Sequence, residues 1–229
     1  MGTIYLIRHG FTPANNANYN GQRGLSIIAK DKDMPLEKKY GEKQALEIGE
    51  FLSNIKGKTL IMVSPYYRAK QTLNLALEKM NGDYEISTSY DLRENNTGIH
   101  YAKGMDEVIE EYPEALKVYE KLKTDPYTTR YIGGECGYDV RDRTKDISLK
   151  IKEASKYYDN VFVFAHGAVN RWIFYHLNGY LLPRSQKNGE VVIASGDKCG
   201  QFVFTPKAFV PKGYMIDIND YLDCKKCQL

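Results

Sequence analysis

The 229-residue sequence predicts a three-layer α/β/α domain around a mostly parallel sheet. Two observations carry that prediction. Short runs of β-branched, aromatic and other apolar residues alternate with segments whose apolar positions recur at helical spacing. The runs at Thr3–Ile7, Thr59–Val63 and Val161–Phe164 are also apolar almost throughout, which requires both faces of their sheet to be covered by helices. Two of these runs deliver a histidine where they stop, in Arg8-His9-Gly10 and in Ala165-His166-Gly167. In such a fold the carboxyl ends of the strands share one edge, so the two imidazoles are expected to meet across one pocket.

Taken in order, Thr3–Ile7 reads as the first strand. Residues 11–35 carry four asparagines, Gly21, Gly24 and Pro35 with scattered apolar positions, and read as a long loop, either the mouth of a pocket or a surface insertion. Ala45, Ile48, Gly49 and Leu52 form one helical stripe from about Glu42. The Thr59–Val63 strand then meets Ser64-Pro65, where Ser is expected to cap a helix with Pro at its first position. Leu73, Ala76, Leu77 and Met80 mark the inner face of that helix. An edge strand is expected at Tyr84–Ser89, before a polar loop with Asp91, Arg93 and Glu94. Helices are expected at Met105–Tyr112 and Glu114–Leu122, divided at Pro113, and a longer one from Glu135 to Tyr158 through Val140, Thr144, Ile147, Ile151 and Ala154. The Val161 run, a helix with Val169, Ile173 and Leu177, and strands at Val191–Ile193 and Gln201–Phe204 complete the pattern. One domain over residues 1–229 is expected, with residues 11–35 and 95–135 surrounding its pocket.

Composition narrows the class. A net charge of +3 with no long basic block argues against a nucleic-acid partner, and the nineteen tyrosines are too scattered to form a stacking platform. No apolar run reaches membrane-spanning length, and Met1-Gly2-Thr3 leads directly into a strand, so no membrane partner and a cytoplasmic location are expected. Four uneven cysteines do not make a disulfide framework; Cys224 and Cys227 have the spacing of half a zinc site without the other half, and are read as an inert tail. The oligomeric state is left open.

A wider series of motifs resembles the histidine phosphatase superfamily, the phosphoglycerate-mutase-like proteins. Arg8-His9-Gly10-Phe11-Thr12-Pro13-Ala14-Asn15 is similar to its R-H-G-x-[ST]-x-x-N signature. Leu36, Gly41, Gln44 and Ala45 follow in family order, then Ser64 to Thr72, Leu92-Arg93-Glu94, Gly134-Glu135-Cys136, and Ala165-His166-Gly167 with Arg171. The resemblance implies the phosphoglycerate-mutase-like fold, with His9 as the nucleophile that takes up a phosphoryl group. It further implies Arg8 and Arg68 as the phosphate clamp, His166 as the second pocket histidine, and Glu94 as proton donor and then base, with Asp91 the nearby substitute. Thr12 and Asn15 are expected to line the phosphate pocket or to cap the turn after the strand. Glu135 caps a helix or binds an arginine on this reading, and Cys136 stands where the phosphatase-like branches carry serine.

These roles suit the chemistry. A neutral imidazole nitrogen can attack phosphorus and leave again, and a guanidinium fork can hold two nonbridging oxygens. The resemblance therefore implies a metal-independent phosphomonoesterase without a cofactor. It would act on a small phosphorylated metabolite, a sugar phosphate or a phosphoglycerate-like acid, and release inorganic phosphate. Phosphoglycerate mutase is the alternative, although mutases of this family carry E-R-H-Y-G where this chain has Glu94-Asn95-Asn96-Thr97-Gly98. A noncatalytic binding protein is the third reading.

Overall fold

The structure, a computed structural model, describes residues 1–20, 34–82, 84–101 and 103–216. Its strands are β1 (Thr3–Arg8), β2 (Thr59–Val63), β3 (Glu85–Thr88), β4 (Asn160–Ala165), β5 (Val191–Ile193) and β6 (Phe202–Phe204). They form one sheet in the order β3-β2-β4-β1-β5-β6. The first four are parallel; β5 runs antiparallel to both β1 and β6, so the sheet is mixed with a parallel centre. The helices are α1 (Pro13–Asn20), α2 (Gly41–Leu52), α3 (Tyr67–Leu77), α4 (Met105–Glu111), α5 (Ala115–Thr124), α6 (Gly137–Ala154) and α7 (Gly167–Asn178).

Side chains alternate across a strand, so each central strand feeds two cores. Val161 and Val163 of β4 join Ile4 and Leu6 of β1 beneath Val140, Ile147, Ile151, Val169 and Ile173 of α6 and α7. Phe162 and Phe164 join Ile7, Ile61 and Val63 against Ile48, Leu52, Ala69, Leu73 and Ala76 of α2 and α3. This is the three-layer sandwich that the uninterrupted apolar runs predict. Gly49 lets α2 and α3 cross closely, because a Cβ there would lie 2.2 Å from the Ala76 carbonyl oxygen.

Three expectations are corrected by local chemistry. The stretch read as a loop from residue 11 contains α1, whose first residue is Pro13, the position at which a fixed φ and a missing N–H cost nothing. The remainder, 21–33, and the Cys224/Cys227 pair lie outside the described residues. Pro65 does not open a helix: α3 starts two residues later, with extended Tyr66 at its N-cap, and Ser64 has another partner. The helix expected from Glu135 to Tyr158 is shorter at both ends. Asp139 accepts a hydrogen bond from the Cys136 N–H at 2.7 Å and sets the start of α6, and turns follow Ala154. No helix among the described residues is long and apolar enough to cross a membrane.

Candidate active site

The parallel strands bring their ends together in register. Arg8 is paired with Ala165 across β1 and β4, and Val63 with Phe164 across β2 and β4. The next residues out are His9, His166 and Ser64, each at the edge from which α3 and α7 depart. The positive ends of these two helices favour an anion there. The His9 N–H donates to the Ala165 carbonyl at 3.1 Å, which continues the ladder and leaves little freedom in where the imidazole projects.

His9 is buried. Its Nδ1 lies 2.7 Å from the Gly10 carbonyl oxygen, an atom that can only accept, so Nδ1 carries the proton. Its Nε2 accepts from Arg68 Nε at 3.3 Å, which leaves that nitrogen as the one with the lone pair. Burial first, then the positive charges of Arg68 and Arg8, push the imidazole well below its ordinary pKa of 6.5. His9 is therefore neutral, in one tautomer, with its nucleophilic nitrogen toward an arginine.

The glycines and amides of the motif series hold this geometry. A Cβ on Gly10 would lie 2.6 Å from the Gly41 carbonyl oxygen, and one on Gly41 2.0 Å from that of Phe11. The Gln44 amide accepts from the Phe11 N–H at 2.8 Å and donates to the Ala208 carbonyl at 2.9 Å. Thr72 accepts from the Gly10 N–H at 3.0 Å and donates to the Arg68 carbonyl at 2.7 Å, tying the loop after β1 to α3.

A cavity of about 630 Å³ opens at this edge, and Arg8, His9, Thr12, Asn15, Arg68 and Glu94 all line it. Thr12 and Asn15 also cap α1: Asn15 Oδ1 accepts from both the N–H and the hydroxyl of Thr12. Arg8 donates to the Gln186 carbonyl at 2.5 Å. His166 is placed differently from the rest. It is fully buried behind His9, with ring centroids 5.1 Å apart, and its Nε2 is 2.7 Å from Ser64 Oγ while Nδ1 has no hydrogen-bond partner. Burial, then Arg68 and His9, keep its pKa well below 6.5 as well. Asp91 is not on the cavity wall; its carbonyl accepts from Arg143.

Glu94 reaches the cavity from a loop held by α6. Arg143 donates to the carbonyls of Asp91, Arg93 and Glu94 and forks onto Glu135. Glu135 in turn accepts from the Asn96 N–H at 2.8 Å and pairs with Arg93 at 3.6 Å. Burial alone would raise the Glu135 carboxyl, but the Arg143 hydrogen bond, the Asn96 N–H and the two arginine charges hold it below the usual range. The Gly134–Arg143 stretch is thus a brace for the Glu94 loop, and Cys136 is buried within it at the start of α6.

Ser64, Gln186 and Asn188 escaped the reading of the sequence. Asn188 Nδ2 donates to the carbonyls of His9 and Gly10 and to Asn15 Oδ1, and Gln186 links the Leu6 and Glu190 carbonyls to Asn170. Ser64 stood inside a quoted motif, but no local pattern marks the 185–189 loop. Among the described residues no group of three or more His, Cys, Asp or Glu side chains is arranged to hold a metal ion.

Residues 4–203 match the family model described as histidine phosphatase superfamily (branch 1). Phosphoglycerate mutase-like protein 4 of Arabidopsis thaliana is 28% identical over 171 residues, 75% of this chain and 69% of that protein. Among solved structures, the alpha-ribazole phosphatase from Shigella flexneri is similar with a TM-score of 0.70 and 19% identity, over 91% of this chain and 98% of that one. Bacillus stearothermophilus YhfR is similar with a TM-score of 0.68 and 22% identity, over 93% and 99% of the two chains. At these identities the solved structures share the fold.

Proposed function

Because the chain belongs to the histidine phosphatase superfamily (branch 1), we propose that it hydrolyses small phosphomonoesters in two displacements through a phosphohistidine at His9. The observation that carries this reading is the protonation geometry of His9: Nδ1–H held by the Gly10 carbonyl at 2.7 Å, and a neutral Nε2 on the cavity wall beside Arg68. Nε2 attacks phosphorus with its lone pair while the bond from phosphorus to the ester oxygen breaks. The departing alkoxide takes a proton from Glu94 in its acid form. Water then gives a proton to the Glu94 carboxylate and attacks phosphorus, and the imidazole leaves with its electron pair as inorganic phosphate forms.

The arginines supply the electrostatics. The 3.3 Å contact between Arg68 and Nε2 is long for a hydrogen bond, so Arg68 can exchange it for a phosphoryl oxygen at small cost. Arg8, already fixed by the Gln186 carbonyl, meets the same oxygens from the other side. His166, braced by Ser64, packs against the His9 ring and excludes water behind it.

Hydrolysis is favoured over isomerisation by the sequence after Glu94. The Asn96 backbone N–H and carbonyl are bound to Glu135 and its side-chain Oδ1 accepts from the Gly98 N–H, so Asn96 is held in the brace rather than offered to a substrate that must turn around in the site. The test compares phosphate release from a panel of monoesters with conversion of 3-phosphoglycerate to 2-phosphoglycerate, alongside rapid-quench detection of an acid-labile, base-stable phosphoenzyme. Turnover and phosphoenzyme should disappear together in His9→Ala, while Arg68→Lys should slow both steps and still form the adduct. A phosphoenzyme that persists in His9→Ala rejects the nucleophile assignment, and bisphosphate-primed isomerisation with little hydrolysis rejects the phosphatase reading.

A further inference from the structure

Beside Glu94 the cavity wall is joined by a second stretch of chain. The Asn96 carbonyl accepts from the Glu135 N–H at 2.7 Å, and the Glu135 carbonyl accepts from the Tyr131 N–H at 3.4 Å. One residue on, the Ile132 carbonyl accepts from the Ile99 N–H at 3.1 Å. The backbone around Tyr131 is therefore pinned against the segment that follows Glu94, and the Tyr131 and Glu94 side chains line the same cavity.

The Tyr131 ring is held too, edge-on to His100 with ring centroids 5.3 Å apart. Its hydroxyl is free. No described residue hydrogen-bonds it, and Tyr131 is only half-buried, whereas Asn95 Oδ1 and His100 Nε2 of the same wall are shut off from solvent. The Glu94 carboxylate takes its own hydrogen bond from the Asn95 N–H at 2.9 Å, which leaves the phenol for a third party. Burial first, and then the charge of Glu94, raise the phenol above its ordinary pKa of 10. The hydroxyl thus keeps its proton at neutral pH, within electrostatic reach of the carboxylate.

Resting on the phosphatase reading above, we propose that the Tyr131 hydroxyl donates a hydrogen bond to the ester oxygen on which Glu94 acts. As the bond from phosphorus breaks, its electron pair collects on that oxygen. Glu94 gives its proton there, and Tyr131 shares the charge while keeping its own proton. When water replaces the alcohol, the same hydroxyl holds the water oxygen while one water proton passes to Glu94. A fixed donor aimed at developing charge costs no reorganisation during the reaction.

The experiment compares Tyr131→Phe with the parent, as full chains, on p-nitrophenyl phosphate and on the alkyl monoester hydrolysed fastest in the panel above. Phenylalanine keeps a ring against His100 and removes only the hydroxyl. The readout is kcat/KM, which covers the steps up to alcohol release, so a slow water step does not mask the effect. It should fall by about tenfold or more for the alkyl ester and by less than about threefold for p-nitrophenyl phosphate, whose leaving group carries its charge unaided. Tyr119→Phe, which removes the other phenol of this wall, should leave the ratio of the two values unchanged. Equal losses on both esters, no loss on either, or the selective loss appearing in Tyr119→Phe instead overturns the Tyr131 assignment and leaves the phosphatase reading standing. Turnover of p-nitrophenyl phosphate with no alkyl ester hydrolysed overturns it as well. Absence of both phosphate release and phosphoenzyme in the parent chain overturns both readings.

Discussion

The two buried histidines make acid the weak side of this protein. In the unfolded chain each imidazole takes up a proton as pH falls through about 6.5. In the folded chain His9 and His166 stay neutral to far lower pH, through burial and then the neighbouring arginine charges. The unfolded state therefore binds more protons below pH 6.5, and the contribution of these two histidines to stability falls as pH is lowered through that value and is constant above about 7.5. Between pH 7.5 and 5.5 each histidine should account for about 1.4 kcal/mol of lost stability. Urea midpoints of the parent and of His9→Ala at the two pH values check this: the variant should lose about 1.4 kcal/mol less, and equal losses would show that His9 is already charged in the folded state. At the same scale, the motif letters around His9 resolve into contacts. Gly10 and Gly41 permit two backbones to touch, and Gln44 and Thr72 satisfy N–H groups of the loop after β1.

Among the elements, α6 has the most consequential connection. It offers Arg143 from its second turn to the carbonyls of Asp91, Arg93 and Glu94, with Glu135 completing the brace. Arg143→Met should leave the fold and the phosphohistidine intact while Glu94 drifts from the leaving-group oxygen. An ångström of misplacement at a proton donor costs on the order of 10- to 100-fold. That loss should appear in kcat for alkyl phosphates and be much smaller for p-nitrophenyl phosphate, whose leaving group needs little protonation. Arg143→Lys should recover only part of it, since an ammonium cannot fork onto Glu135 and three carbonyls together. Equal losses on both esters, accompanied by a lower melting temperature, would reduce Arg143 to a structural role. Helix limits show how far local pattern reaches. The inner stripes of α2, α3 and α6 were legible, but the starts of α1 and α3 were not. At α1 the Thr12-Pro13 signal was hidden among asparagines, and at α3 Ser64 turns to His166 instead of the helix.

The whole molecule depends on the central strands being covered from both sides. Phe162 is 1% exposed on β4, between β1 and β2, and packs into the α2/α3 layer. Phe162→Ala should cost about 3–5 kcal/mol in urea unfolding, because the cavity left in the centre of the sheet has no neighbour free to collapse into it. Ile86 on edge strand β3 is 51% exposed, and Ile86→Thr should stay within about 0.5 kcal/mol of the parent. Similar costs at the two positions would mean that the sheet centre relaxes far more than its packing suggests. The parallel centre also explains why residues from opposite ends of the chain meet: His9 and His166 lie on adjacent strands whose carboxyl ends coincide.

The amino-acid sequence by itself determined the layer architecture and the strands that end in histidines, and it named Arg8, His9, Thr12, Asn15, Arg68 and Glu94, which line the cavity, but not that His166 lies behind its wall. Apolar periodicity and short motifs are local properties, and each of those features is written within a few neighbouring positions. What the tertiary structure decided are relations across long separations. The Ser64 hydroxyl meets His166 102 residues away, and Gln186 reaches the Leu6 carbonyl across 180. The tautomer of His9 belongs to the same class. It follows from the direction in which the Gly10 carbonyl points and from Arg68 arriving on a different element, and hydrogen-bond direction exists only once the backbone is folded.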